Sequence, residues 1–351
     1  MIVNTPINQL SYGLAGYNIC KELERQNKLE SLIPIGDPDS ELFKGLEKYH
    51  WVNTGKLAGP QLRIWHQWDI STRYGKGIQA GFPFFEMNRL NRQEHISMYH
   101  CDILIVASAW AKEICQEYID SKITIAPLGV DRTIFNEKKN FNRSQTIFMN
   151  CGKWEVRKGH DILLKAFNLA FDKSDNVELW MLSDLPFPHL QDANKEWRSK
   201  YKNSKLGNKI NIISRVNNHI DVYNLIRHVD CGIFPSRAEG WNMPALEFLS
   251  CGKHLIITDY SAHTEYANEK NSKLININKL ETAQDGVWFH GQGEWAALEE
   301  PQLDQLVEHM RNIHLAKKEG HLGVNVAGIE TAEKFSWSNT VSNILGAFNN
   351  V

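Results

Sequence analysis

The residue types that do chemistry concentrate in Phe234-Pro-Ser-Arg-Ala-Glu-Gly-Trp-Asn-Met-Pro-Ala-Leu-Glu-Phe-Leu-Ser-Cys-Gly252. An apolar run ends at Phe234, a turn follows, and a helix is predicted from about Pro244, because proline suits a first helical position. Gly240 and Asn242 can take positive φ angles that let backbone approach a ligand. The N–H groups at a helix start can hold phosphate. Glu239 stands just ahead of that helix and Glu247 within its first turn or so. A carboxylate there can accept two hydrogen bonds from vicinal hydroxyls, as on ribose. Taken alone, two glutamates eight apart read more readily as a solvated acid and an acid complementing the helix dipole than as ligand-binding groups. The frame Pro-Ser-x-x-Glu-Gly-x-x-x-Pro-x-x-Glu is the more specific signal.

Other candidates are weaker. Ser11-Tyr-Gly-Leu-Ala-Gly16 reads as a glycine-rich turn between a short strand and a helix over Tyr17 to Glu24, and Gly13 is its candidate residue. It is not G-x-G-x-x-G, so a dinucleotide fingerprint is missing. His66 follows the strand-like Leu62-Arg-Ile-Trp65, with Asp69 close behind; both could equally cap a loop. Arg215 follows the run Ile210 to Ile213 and could reach a phosphate or a base. Asp37-Pro-Asp39 mimics a metal-binding Asp-x-Asp, but a turn explains it as well. His95 and His100-Cys101 have the wrong spacing for two ligands on one helical face, and no H-E-x-x-H occurs, so no metal is expected. Of the 11 tryptophans, Trp65, Trp68 and Trp241 are the candidates for a sugar platform.

These residues need a scaffold. Apolar runs at Leu32–Ile35, Leu62–Trp65, Ile103–Val106 and Ile123–Ala126 read as buried strands, with helices over Glu86–Tyr99 and Ala109–Tyr118. A polar stretch, Asn136 to Ser144, reads as a linker. The pattern then restarts with runs at Thr146–Met149, Val177–Leu182, Ile210–Ile213, Cys231–Phe234, His254–Ile257 and Lys273–Ile277. Helices are expected over Asp161–Ala170, His219–His228, Ala245–Cys251, Glu300–Lys318 and near Asn339–Phe348. Alternation of this kind predicts α/β architecture with parallel sheets. Two doubly wound halves would face a cleft lined by the carboxyl ends of strands, where ligands bind.

Composition narrows the class. The 351 residues suggest about two domains. They are 42% hydrophobic and 23% charged, which rules out a disordered or coiled-coil chain. Net charge is −2, and 16 Lys and Arg balance 16 Asp and Glu over positions 1–140, so there is no strong nucleic-acid signal. Six scattered cysteines without a C-x-x-C pair read as free thiols in a reducing cytoplasm. Neither a secretion signal nor an apolar run of about 18 residues is apparent.

The Phe234–Gly252 segment resembles the E-x7-E signature of family-4 glycosyltransferases, which have the GT-B fold. Asn150-Cys-Gly-Lys-Trp-Glu-Val-Arg-Lys-Gly-His-Asp-Ile-Leu-Leu-Lys-Ala-Phe167 is similar to that family's G-R-x(4)-K-G-x-x-x-L-x-x-A-F element, with Lys153 where arginine is usual. Ala126-Pro-Leu-Gly-Val-Asp-Arg-Thr-Ile-Phe135, Thr258-Asp-Tyr-Ser-Ala-His-Thr-Glu265 and Phe335-Ser-Trp337 match further elements in the family's order. The resemblance covers about residues 100 to 340.

The resemblance implies a GT-B fold of two Rossmann-like domains. Residues 1–140 would recognise the acceptor, joined by a C-terminal helix over 336–351 crossing back, and residues 141–335 would bind the nucleotide sugar. It implies a retaining transferase that uses a nucleotide-diphosphate sugar and needs no metal or other cofactor. Glu239, Lys158 and His66 would be catalytic. Gly13, Lys153, Lys158, Arg215, Glu239, Gly240, Trp241, Asn242, Met243 and Glu247 would bind the donor, with Glu239 on sugar hydroxyls, Glu247 on ribose and the two lysines on the diphosphate. A saccharide, lipid-linked or other acceptor is implied, in the cytoplasm, with peripheral membrane contact left open. The alternatives are a nucleotide-sugar epimerase of the same fold, a catalytically silent binding protein, a manganese enzyme built on Asp37 and Asp39, and a transferase acting on nucleic acid.

Overall fold

The computed structural model describes residues 1–119, 122–138, 141, 143–216 and 218–349. Lys139, Asn140 and Asn142 of the expected linker and interdomain boundary lie outside the described residues, as do Asn350 and Val351 of the expected C-terminal helix. The chain divides into two units, Met1–Asp131 with Lys334–Val351, and Arg132–Glu333.

In the first unit the order is β1 (Ile2–Thr5), α1 (Ser11–Arg25), β2 (Ser31–Pro34), α2 (Ser40–Phe43), α3 (Trp51–Thr54), β3 (Gln61–Arg63), β4 (Gln79–Gly81), α4 (Arg92–Tyr99), β5 (Ile103–Val106), α5 (Ala109–Gln116) and β6 (Ile123–Ile125). The second unit holds β7 (Thr146–Cys151), α6 (His160–Ala170), β8 (Val177–Leu182), α7 (Gln191–Lys202), β9 (Ile210–Ile213), α8 (His219–Ile226), β10 (Cys231–Phe234), α9 (Met243–Ser250), β11 (His254–Thr258), β12 (Lys273–Ile275), β13 (Leu280–Gln284), β14 (His290–Ala296) and α10 (Glu300–Lys318). Helices α11 (Val326–Lys334) and α12 (Trp337–Phe348) follow, and α12 returns to the first unit.

Each unit is built on a six-stranded parallel sheet, in the orders β2-β1-β3-β4-β5-β6 and β12-β11-β10-β7-β8-β9. This is the expected α/β arrangement. Strands covered on both faces need apolar side chains throughout, and β5 and β10 are buried along their whole length. The β7–β8 register, Phe148 opposite Leu179, sets the core of the second unit, with Leu163, Phe167 and Met310 packed on it. Among the described residues no helix is long and apolar enough to cross a membrane.

Several local expectations need correction. Ser11–Gly16 is not a loop: α1 begins at Ser11 and takes in Gly13 and Gly16. A Cβ on Gly13 would collide with the backbone of Asn8, and one on Gly16 with Thr5 and the Pro6 carbonyl. These glycines therefore let α1 press on the β1–α1 connection. Helix α4 starts at Arg92 rather than Glu86, because Asn91 and Glu94 close a reciprocal capping box: Glu94 N–H donates to Asn91 Oδ1 at 3.0 Å and Asn91 N–H to Glu94 Oε2 at 2.7 Å. Strand β3 stops at Arg63, so His66 caps a single 3-10 turn, Gln67–Asp69, instead of ending a strand. Strand β4, helices α7 and α11 and the antiparallel pair β13–β14 had no apolar run to announce them.

In an open helix, Gly→Ala stabilises by about 1 kcal/mol. At Gly13 the overlap with Asn8 reverses the sign. Gly13→Ala should destabilise by about 1–3 kcal/mol, read from urea unfolding; a gain in stability would show that the α1 packing is wrong.

Candidate functional site

Strands β7, β10 and β11 are neighbours in the second sheet, and their carboxyl ends carry the three segments the site needs. Gly152–Gly159 follows β7, Pro235–Asn242 follows β10, and Ser261–Glu265 follows β11. The first two are pressed together at Gly159, which has φ 71° and where a Cβ would run into the Pro235 carbonyl.

Glu239 is the centre. It is 4% exposed, and its carboxylate is fully engaged on one oxygen. Lys158 Nζ (2.7 Å) and Ser236 Oγ (2.8 Å) donate to Oε1, and Arg157 Nη1 (2.9 Å) donates to Oε2. Its backbone N–H donates to Ser261 Oγ at 2.8 Å. Burial pushes this carboxyl up, but Lys158 and Arg157 more than offset it and hold it well below the usual carboxylate range. Arg157 also donates to Glu155 Oε2 from Nε (3.1 Å) and Nη2 (2.7 Å), and to the Ala238 carbonyl at 2.8 Å. Lys153 Nζ lies 2.6 Å from Glu155 Oε1. Burial raises the Glu155 carboxyl, and Arg157, Lys153 and Lys158 outweigh it, leaving it at about 2.

Two carboxylates thus face three cations, with one positive charge in excess. The arrangement has a direction. Glu155, Arg157 and Glu239 are buried, whereas the side chains of Lys158 and Lys153 are 14% and 36% exposed. The face toward solvent is cationic. Beside it, neither Gly159 before α6 nor Asn242 before α9 closes its helix with a side-chain hydrogen bond. The combination of lysines and helix starts suits an anion such as phosphate.

The loop after β10 is held from three sides. Arg237 donates to both oxygens of Asp161 (2.9 Å each), to the Val156 carbonyl (2.6 Å) and to Glu281 (2.8 Å). Asn242 takes φ 74° as expected, while Gly240 stays out of the positive-φ region. Asn242 Nδ2 donates to His263 Nε2 at 2.9 Å, because His263 Nδ1 donates to the Thr258 carbonyl at 3.0 Å. Trp241 is buried against Tyr266, 5.3 Å between rings, and so is a packing residue rather than an open platform. Met243 opens α9, which puts Glu247 on its second turn, not its first. Glu247 Oε1 lies 2.7 Å from His219 Nε2.

The second unit therefore brings together Lys153, Lys158, Glu239 and Asn242, with Gly240, Trp241, Met243 and Glu247 in the same loop and helix. Arg215 stands exposed beyond β9 and joins no contact described for that network. Gly13 and His66 belong to the first unit. There the His66 ring packs against Tyr12 (4.8 Å), Trp65 (4.8 Å) and Trp68 (5.6 Å, stacked). Asp69 pairs with the buried Arg63 at 2.6 Å. Asp39 accepts from the Glu41 and Leu42 N–H groups (3.1 Å each) as the cap of α2, and no cluster of metal-ligating residues occurs among the described residues. Glu155, Arg157 and His263 lie inside the sequence motifs, and the motifs themselves marked no role for them. The available signal was the alternation Lys153, Glu155, Arg157 in the segment after the run Thr146–Met149.

His160 and His263 are wholly buried, and burial lowers them to about 3 and about 4. Both stay neutral in the fold and take a proton in the unfolded chain near 6.5. Stability is therefore fully present above the unfolded value of about 6.5 and falls as the pH drops below it, by on the order of 2–3 kcal/mol per pH unit near pH 5, where unfolding takes up close to two protons. Urea midpoints measured against pH check this; a flat profile between pH 7 and 5 would contradict it.

The chain is similar to known proteins in part of its sequence and in its fold. Residues 131–287 match the family model of Glycosyl transferases group 1. The GDP-mannose-dependent alpha-(1-6)-phosphatidylinositol dimannoside mannosyltransferase of Mycobacterium tuberculosis is 22% identical over 172 residues, 47% of this chain and 42% of the relative. The chain thus matches less than half the length of that relative. A glycosyltransferase of Rickettsia africae superposes with a TM-score of 0.72 at 16% identity, covering 99% of this chain and 98% of the other. HepE of Anabaena, solved with UDP and glucose, superposes with a TM-score of 0.66 at 12% identity over 100% and 99% of the two chains. The chain has the GT-B fold, and its residues 131–287 are similar to the Glycosyl transferases group 1 family.

Proposed function

We propose that the protein is a glycosyltransferase that moves a sugar from a nucleoside-diphosphate sugar to an acceptor hydroxyl. One observation carries this reading: the buried Glu239 carboxylate, held by Arg157 behind it, with the lysines Lys153 and Lys158 on the solvent side. Breaking a glycosidic bond to a diphosphate builds negative charge on the leaving group. Fixed cations and helix N–H groups aimed at that charge lower the barrier. Lys158 and Lys153 have that role, and Arg157 remains on Glu239 as its counter-ion. Glu239 Oε2 accepts one hydrogen bond, from Arg157, which leaves a lone pair for a sugar hydroxyl. Glu247 would take the ribose hydroxyls. Gly240, Trp241, Asn242 and Met243 shape the loop, and Gly13, His66 and Arg215 enter by resemblance alone.

Retention of configuration follows the family resemblance. The bond from the anomeric carbon to the phosphate oxygen breaks, the bond to the acceptor oxygen forms on the same face, and the departing phosphate takes the acceptor proton. Metal independence follows the same resemblance, with the lysines and the helix N–H groups offsetting part of the diphosphate charge. The second unit would hold the donor, and the first would read a saccharide or lipid-linked acceptor. Six free cysteines fit a reducing cytoplasm, with peripheral membrane contact for a lipid-linked acceptor.

Calorimetry with a panel of nucleoside diphosphates and their sugars, without metal and then with manganese, tests the reading. One nucleotide should bind without metal, and Glu247→Ala should weaken it about ten-fold, or about 1.4 kcal/mol. Absence of binding, or binding that needs manganese and ignores Glu247, would overturn it. A donor converted to its epimer without acceptor would favour the epimerase instead.

A further inference from the structure

The hairpin β13–β14 is polar, yet it is fastened to the ionic cluster at both ends. At its root, Glu281 Oε1 accepts from Arg237 Nε (2.8 Å) and Trp295 Nε1 (3.1 Å), and Ala296 N–H donates to the Arg237 carbonyl at 2.9 Å. Arg237 is two residues from Glu239, so the root is tied to the loop that carries the central carboxylate. At its tip, Asp285 Oδ1 accepts from the N–H groups of Val287 (2.8 Å), Trp288 (2.8 Å) and Phe289 (2.9 Å). Asp285 N–H donates to the Phe289 carbonyl at 3.0 Å, and Gly286 supplies the positive φ of 74° that the turn needs.

This closed tip presents Trp288, 40% exposed, to the cluster. The Trp288 ring lies 5.2 Å from Lys153 Nζ, and the Phe187 ring lies 5.8 Å from the same nitrogen. The two rings meet edge to face at 5.4 Å. Glu155 completes the surround at 2.6 Å. Next along the hairpin, Phe289 sits 5.9 Å from the Arg157 guanidinium and 5.1 Å from Trp295. A lysine is a point charge on a four-carbon stem, whereas an arginine fork arrives pre-organised. Tryptophan is the strongest aromatic partner for a cation.

We propose that the hairpin Leu280–Ala296 fixes Lys153 for the donor's diphosphate, with Trp288 as the positioning residue that does for this lysine what the guanidinium plane does for an arginine. The inference rests on the donor reading above. It assigns the hairpin to donor affinity and makes Trp288 and Lys153 an interdependent pair.

A double-mutant cycle on the full chain tests it, with UDP and GDP as probes in calorimetry. Trp288→Ala should weaken the nucleotide that binds by about five-fold, and Trp288→Phe should keep most of the affinity. Lys153→Arg should gain several-fold more in the Trp288→Ala background than in the native one, which a purely structural role for Trp288 would not produce. Thermal unfolding of each variant checks that the exposed tip has been changed without loss of the fold. Unchanged affinity in Trp288→Ala, or a Lys153→Arg effect equal in both backgrounds, overturns the inference while the donor reading stands. If another nucleoside diphosphate of the panel binds in place of these two, the cycle is run on that nucleotide; failure of the native protein to bind any member of the panel overturns the donor reading and this inference together.

Discussion

A carboxylate taken out of water must be paired, and Glu239 is taken almost wholly out of water. Its two oxygens are supplied by Lys158, Ser236 and Arg157, which come from segments about 80 positions apart in the chain or, for Ser236, from its own loop. That requirement fixes much else. Arg157 must reach Glu239 and Glu155 together, so the loop after β7 has to lie against the loop after β10, and Gly159 is where they touch. Arg237 repeats the clamp with Asp161, Val156 and Glu281. Removing one partner of a buried pair of this kind costs about 3–5 kcal/mol, because the other charge is stranded.

The same pairing gives the site its polarity. A neutral cluster would present nothing to an incoming anion. Here three cations meet two carboxylates, and the cations nearest solvent are both lysines. His160 and His263 lie close by, but burial keeps them neutral, so they orient neighbours without adding charge. His263 spends one nitrogen on the Thr258 carbonyl and the other on Asn242, which holds the left-handed turn ahead of α9. The electrostatics of the loop and its backbone conformation are thus set by one network.

Much of this was legible in the sequence. The buried parallel strands announced themselves as runs such as Ile103–Val106 and Cys231–Phe234, because strands covered on both faces need apolar side chains throughout. Glu239, Glu247 and Lys158 stood out through their frame. Arg157 did not, since its partner lies 82 positions away and only the fold shows that it is buried. The hairpin was silent for another reason. Leu280–Gln284 and His290–Ala296 are mostly polar, with Ala283, Trp295 and Ala296 as their buried apolar positions, and the side-chain bonds at their root run to Arg237. Gly13 misled because a glycine needed for close packing of a helix looks, in sequence, like one needed for a turn.

The ionised state of Glu239 is the claim on which the rest depends. Its side-chain carboxyl can be followed by carbon NMR in uniformly glutamate-labelled protein, with Glu239→Gln to identify the signal. This carboxyl should stay ionised as the pH falls through the ordinary glutamate range near 4.3, until the fold itself is lost. A titration midpoint at or above that range would mean that Arg157 and Lys158 do not hold the charge, and the account of the site would be wrong.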